Sequence, residues 1–180
     1  MQACMTDNDV VVVDRNCHKS IEQGLMLTGA KPVYMVPSRN RYGIIGPIYP
    51  QEMQPETLQK KISESPLTKD KAGQKPSYCV VTNCTYDGVC YNAKEAQDLL
   101  EKTSDRLHFD EAWYGYARFN PIYADHYAMR GEPGDHNGPT VFATHSTHKL
   151  LNALSQASYI HVREGRGGIN FSRFNQAYMM

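Results

Sequence analysis

Three short strings concentrate the side chains able to do chemistry: Asp14-Arg15-Asn16-Cys17-His18-Lys19-Ser20, His108-Phe109-Asp110-Glu111-Ala112-Trp113 and Ala143-Thr144-His145-Ser146-Thr147-His148-Lys149. Each follows or ends a short apolar run. A lysine preceded by hydroxyls and imidazoles, just after a strand, suits a Schiff-base nucleophile, and Lys149 is that lysine. Ser146 and His148 beside it offer donors for a phosphate. Asp110, a carboxylate at a separate strand end, suits the partner of a protonated ring nitrogen, because a nearby anion favours the charged form. The imidazole of His18, at a third strand end, can lie flat on an aromatic ring. A covalent tether, phosphate donors, an anion and a stacking group are together the needs of pyridoxal phosphate. Singly, each residue has a plainer reading. His18 serves as a polar residue on a first helical turn, Asp110 as an N-cap, and Lys149 as a solvated lysine like most lysines.

The elements that must position these residues follow from the apolar pattern. Residues 10–13 are four consecutive valines, β-branched with no polar member, and read as a buried strand with Asp14 at its carboxyl end. Residues 16–27 read as a helix, with Asn16 as N-cap and Gly29 as the stop. Further strands are expected at 31–36, 77–81, 107–109, 141–143 and 157–162. Further helices are expected at 56–62 (opened by Pro55), at 93–102 (on the spacing of Ala93, Ala96, Leu99 and Leu100) and at 170–180. Residues 38–49 and 121–137 read as loops, 66–75 as a polar exposed stretch and Tyr86-Asp87-Gly88 as a turn. Strands alternating with helices imply an α/β fold with a mostly parallel, doubly wound sheet. Ligands in such sheets gather at the carboxyl ends of the strands.

Composition narrows the rest. The 180 residues fit one domain of usual size, with Lys plus Arg at 19 and Asp plus Glu at 19, so the formal net charge is zero. A neutral chain offers no electrostatic reason for nucleic acid or an anionic membrane as partner. Tyr114, Tyr116, Phe119, Tyr123 and Tyr127 are not accompanied by a basic stripe and read as packing or interface residues. No stretch approaches the roughly 20 apolar residues of a membrane span, and the first residues lack a signal-peptide pattern. Cysteines at 4, 17, 79, 84 and 90 are odd in number and irregular in spacing, which argues for reduced thiols in the cytoplasm. Neither they nor the His145/His148 pair has the spacing of a metal site, so no metal is expected. Gly165-Arg166-Gly167-Gly168 reads as a turn before the last helix rather than an anion cradle.

At the three chemical strings the chain resembles the ornithine/lysine/arginine decarboxylase family, pyridoxal-phosphate enzymes of the aminotransferase-like fold type I. His145-Ser146-Thr147-His148-Lys149 resembles its cofactor-lysine motif, Asp110-Glu111-Ala112-Trp113 its second cofactor motif, and residues 14–20 its ring-stacking motif. The resemblance covers essentially all 180 residues, and the run 39–48 resembles the arginine-acting branch. It implies that Lys149 holds the cofactor covalently, Asp110 pairs with the pyridine nitrogen and His18 stacks on the ring. Ser146 and His148 are then phosphate ligands, Trp113 reaches the ring hydroxyl, Ala112 packs beside the ring, and Thr82 and Thr85 line the pocket. The implied reaction is decarboxylation of a basic amino acid, L-arginine to agmatine and carbon dioxide, a proton-consuming defence against acid. Implied partners are the small basic amino acid and further copies of the same chain, a homodimer assembled into a larger homo-oligomer. The resemblance also implies that residues 1–180 are the central part of the cofactor-binding major domain. The family's phosphate-cradling Gly/Ser loop and wing domain would lie upstream and its small C-terminal domain downstream, so the chain alone is expected to be inactive. Rival readings are lysine or ornithine decarboxylation, another fold-type-I reaction, and a non-catalytic cofactor-binding or interaction fragment.

Overall fold

The computed structural model describes residues 1–132, 134 and 137–179. Six strands form a single sheet: β1 Val10–Asp14, β2 Lys31–Met35, β3 Tyr78–Thr82, β4 Arg106–Asp110, β5 Thr140–Ser146 and β6 Ser158–Arg163. Their spatial order is β2-β1-β3-β4-β5-β6. The first five run parallel, and β6 pairs antiparallel with β5. The doubly wound expectation therefore holds, with an antiparallel strand at one edge. Pro32 sits in β2, the other edge, where its missing N–H costs no internal ladder bond.

Five helices connect or follow the strands: α1 Lys19–Thr28, α2 Pro55–Glu64, α3 Ala93–Leu100, α4 Thr147–Leu150 and α5 Phe171–Met179. They cover both faces of the sheet. Ile21 and Leu25 of α1 and Phe174 of α5 pack on Val11, Val13, Tyr78, Val80 and Phe142. Leu58 of α2 and Ala93, Ala96 and Leu100 of α3 pack on the opposite face, against Val12, Cys79, Val81, Leu107, Phe109, Val141 and Ala143. The alternation of side chains along each strand feeds both cores at once. No helix among the described residues is long and apolar enough to cross a membrane.

Helix boundaries depart from the sequence reading at one informative place. Asn16 does not cap α1. Its backbone N–H is taken by the Asp14 carboxylate at 2.7 Å, within a turn closed by the Cys17 N–H on the Asp14 carbonyl. The helix begins two residues later, capped by His18, whose Nδ1 accepts from the Ser20 N–H. Asp14 folds residues 14–17 into a turn of their own, and the helix starts after it. At the other end, Gly29 stops α1 in the left-handed region at φ 71°, as expected. Strand β5 is longer than its apolar core, running through Ser146. Short 3-10 turns at Lys69–Lys71, Gly115–Phe119 and Pro121–Tyr123 fall in segments that read as a polar stretch, an aromatic run and a loop, and a further one at Pro50–Met53 lies between the loop at 38–49 and α2. The chain turns tightly before α5, where Gly168 at φ 58° donates to the Gly165 carbonyl. Pro133, in the loop expected at 121–137, and Met180, at the end of the helix expected at 170–180, lie outside the described residues.

Candidate active site

The strand order reverses between β1 and β3, because the chain steps outward to β2 and returns across β1 to β3. A crevice opens at the carboxyl ends of strands at such a reversal. A cavity of about 520 Å³ lies there. Its walls come from the β1–α1 turn (Asn16 to Ile21), the end of β3, the ends of β4 and β5, and the start of β6. Of the residues singled out from sequence, His18, Thr82, Asp110, Ala112, Trp113, Ser146 and Lys149 all line it. They come from positions as far apart as 18 and 149, so the fold brings the three strings together.

Two expected residues sit outside that lining. His148 is exposed, and its Nδ1 lies 2.9 Å from the Ala157 carbonyl oxygen and 3.3 Å from the Ala157 amide nitrogen, which binds its ring to the start of β6. Thr85 is buried, with its hydroxyl accepting from the Val89 N–H across the turn at Tyr86-Asp87-Gly88. Its neighbours Cys84 and Tyr86 face the cavity instead.

The two strand-end aspartates divide their duties. Asp14 is almost fully buried and is not in the cavity wall. It accepts from the Asn16 N–H at 2.7 Å and the Thr82 N–H at 3.1 Å, joining the ends of β1 and β3. Burial raises its pKa, and those two backbone donors oppose the rise. Asp110 lines the cavity. Both of its hydrogen bonds end on Oδ1, from the Thr144 hydroxyl at 3.1 Å and the Ala112 N–H at 3.3 Å. Its Oδ2 has no protein partner among the described residues, which leaves an acceptor for a bound donor.

Next to Asp110, Glu111 is fully buried and organises the wall behind the cavity. Its Oε1 accepts from the Asn83 amide at 2.8 Å and the Ala128 N–H at 2.7 Å. Its Oε2 lies 2.9 Å from His145 Nε2. A buried carboxylate needs this many donors to offset its lost hydration. His145 in turn packs against His161 with ring centroids 4.7 Å apart, and burial lowers the pKa of His161.

Lys149 follows β5 in the single turn of α4. Its Nζ stands 4.8 Å from the centroid of the Trp113 ring and has no carboxylate partner among the described residues. Tyr86 meets Trp113 edge-on at 5.4 Å, so the indole is held between them. An amine held over an aromatic face without a salt bridge is available for reaction. The cavity's two thiols are not. Burial pushes the Cys17 thiol up to about 11 and the Cys84 thiol up to about 12, which keeps both protonated near neutral pH. The Ser146 hydroxyl lines the cavity and has no partner among the described residues.

Sequence reasoning did not single out Tyr86, Thr144, His108 or the β6 residues Tyr159 and Ile160, all of which line the cavity. Thr144 and His108 lie inside the quoted strings, and their period-two spacing from Ser146 and Asp110 was the available signal. For the β6 residues the antiparallel return had to be known first.

Comparison with known proteins gives one consistent answer. The family model for the Orn/Lys/Arg decarboxylase major domain matches residues 1–180. The chain is 99% identical over 180 residues to the biodegradative arginine decarboxylase of Escherichia coli (strain K12), covering 24% of it. It is 50% identical over 173 residues to the lysine decarboxylase LdcA of Pseudomonas aeruginosa, covering 96% of this chain and 23% of that protein. Among solved structures, lysine decarboxylase A from Pseudomonas aeruginosa superposes with a TM-score of 0.88 at 49% identity, covering 99% of this chain and 24% of that one. The Francisella novicida lysine decarboxylase LdcF superposes with a TM-score of 0.86 at 43% identity, covering 99% and 23%. The chain thus spans about a quarter of the length of the relatives it matches.

Proposed function

The chain belongs to the Orn/Lys/Arg decarboxylase family, and from that premise we propose that it is the central part of the cofactor-binding domain of a pyridoxal-phosphate-dependent L-arginine decarboxylase. The observation that carries the chemistry is the meeting of Lys149, Asp110 and His18 around one cavity at the strand ends. The 99% identity to an arginine decarboxylase supports arginine over lysine or ornithine as the substrate. The products are then agmatine and carbon dioxide.

The residues fit the cofactor. Asp110 offers a free carboxylate oxygen where a protonated ring nitrogen needs an acceptor. Lys149 offers an amine without an ion-pair partner, and Ser146 a hydroxyl without one. In this reading Lys149 is the covalent tether. Asp110 keeps a proton on the ring nitrogen through its negative charge. His18 covers one face of the ring, with Nδ1 tied to Ser20 so that the imidazole is held in place. Trp113 serves the ring hydroxyl and Ala112 its edge. Ser146 serves the phosphate, as does His148 through Nε2, the ring nitrogen its bonds to Ala157 leave available. Thr82 lines the pocket directly, and Thr85 shapes the turn beside it. Pyridoxal phosphate, when bound, supplies an electron-accepting pyridinium that takes up the pair left as carbon dioxide departs.

The wider protein is a soluble, cytoplasmic homodimer assembled into a larger homo-oligomer, and each turnover takes up a proton. Exposed Phe119 and Ile122 beside the Tyr114, Tyr116 and Tyr123 cluster suit an interface between copies. Borohydride reduction of the cofactor-loaded full-length protein, followed by peptide mapping, tests the reading. Label is expected on Lys149; label on Lys19 or Lys31 in its place defeats the assignment.

A further inference from the structure

Strands β4 and β5 place three polar side chains in a row on the face that α1 covers. Asp110 pairs in register with Thr144, and His108 lies two residues before Asp110 on the same face of β4. His108 Nε2 is 3.3 Å from the Thr144 hydroxyl, which donates to Asp110 Oδ1 at 3.1 Å. The directions in this row are fixed by proton count. The Thr144 hydroxyl has one proton, and it goes to the carboxylate. The hydroxyl must then accept from His108, so Nε2 carries the hydrogen of a neutral imidazole. Burial agrees, holding the His108 pKa down to about 4.

That assignment leaves Nδ1 as a bare lone pair, and Nδ1 is buried with no hydrogen-bond partner among the described residues. The ring packs beside Tyr78, edge-on at 6.0 Å, and the apolar layer around Phe142, in the wall of the cavity. An apolar side chain would pack in that place without orphaning a nitrogen. A buried, half-satisfied polar group kept beside a cavity calls for a functional reason. Here the reason is at the far end of the row, where Oδ1 is committed and Oδ2 is left for the ligand.

Resting on the reading of Asp110 as the ring-nitrogen partner, we propose that His108 and Thr144 are positioning residues that lock the Asp110 carboxylate with Oδ2 turned to the cofactor. His108 commits the Thr144 proton. Thr144 and the Ala112 N–H together hold Oδ1. His108 and Thr144 each act through Asp110.

The test measures equilibrium binding to the full-length apoenzyme of two probes: pyridoxal phosphate, and its deaza analogue with C–H in place of the ring nitrogen. Thr144→Val keeps the shape and removes the hydroxyl. It should weaken pyridoxal phosphate roughly tenfold, the worth of one hydrogen bond to a charged group. It should leave the deaza analogue within about twofold, since that probe makes no bond to Asp110. Thr144→Ser should restore the loss. His108→Leu should weaken the natural cofactor alone, by roughly threefold, and His108→Gln, which keeps a donor, should do so less. If Thr144→Val does not fold, Thr144→Ala carries the same expectation. Equal weakening of both probes, or no weakening of either, would overturn the positioning role in favour of packing. Equal affinity of the unsubstituted enzyme for the two probes is a different result. It would overturn Asp110 as ring partner, and the positioning role with it.

Discussion

Replacing His108 by leucine should make the protein more tolerant of acid. The imidazole is buried in the cavity wall, and burial lowers its pKa to about 4 from an ordinary 6.5, with the nearby Asp110 opposing the fall. Between those values the unfolded chain binds a proton that the folded chain refuses. Stability from this group is therefore complete above about pH 6.5 and is lost as pH falls through that window toward 4. Each pKa unit is worth about 1.4 kcal/mol, so the full loss is about 3 kcal/mol, and about 2 kcal/mol of it has gone by about pH 5. His108→Leu removes this proton linkage. It also removes the donor to Thr144 and the orphaned Nδ1, but those contributions do not depend on pH in this range. Urea unfolding of parent and variant side by side, at about pH 5 and about pH 8, isolates the linkage of His108 and the carboxylate it interacts with, because distant titrating groups cancel in the difference. The variant should gain about 2 kcal/mol on the parent between the higher and the lower pH. A difference that stays flat across that range would refute the claim that His108 is held neutral by burial.

Glu111→Gln replaces one carboxylate oxygen with an amide that cannot accept from His145, while the other oxygen still serves Asn83 and Ala128. It should cost about 2 kcal/mol in denaturant midpoint, the worth of one hydrogen bond to a buried charge; a variant as stable as the parent would show that His145 does not depend on Glu111. Gly165→Ala places a methyl against the backbone carbonyls of Gly138 and Pro139, which cannot step aside as a side chain can, and should cost about 2 kcal/mol or more. Gly24→Ala, inside α1, meets only the Met1 side chain, its sulfur 2.9 Å away. It should be neutral or stabilising by up to about 1 kcal/mol, so thermal melts of the two variants should move in clearly different ways.

What the sequence made legible was whatever local pattern dictates. Four adjacent valines can only be a buried strand in a chain of this composition, and β1 is one. Pro55 opens α2 and Gly29 closes α1 because each residue has a backbone preference that acts without tertiary help. The three chemical strings lie at strand ends because short apolar runs stop where polar residues begin. The misses share a different cause, competition decided in three dimensions. Asn16 has the chemistry of a cap, but Asp14 holds its N–H, and the geometry of Asp14 depends on β3 sixty-eight residues away through the Thr82 N–H. Thr144 and His108 lie inside the chemical strings, but their link to Asp110 exists only once β4 and β5 are in register. Glu111 read as the neighbour of a functional aspartate. Its burial, and its hold on Asn83, Ala128 and His145, exist only once three separate segments meet.

The cavity wall and its rim differ in what each can vary. Asp110, Glu111 and Thr144 are bound to one another's strands by hydrogen bonds in buried surroundings, where losing a single partner leaves a polar group unsatisfied. A substitution there disturbs the fold before it alters a substrate. The rim is freer. Lys19 and Ser20 at the start of α1, and Ser158, Tyr159 and Ile160 at the start of β6, line the same cavity from exposed positions. Side chains there can change without orphaning a buried group. Members acting on arginine, lysine and ornithine share one cofactor chemistry and differ in the length and head group of the substrate side chain. A shared step suits groups that cannot vary, and a differing substrate suits groups that can vary at little cost to the fold. Within this chain Lys19, Ser20, Ser158, Tyr159 and Ile160 are groups of the second kind.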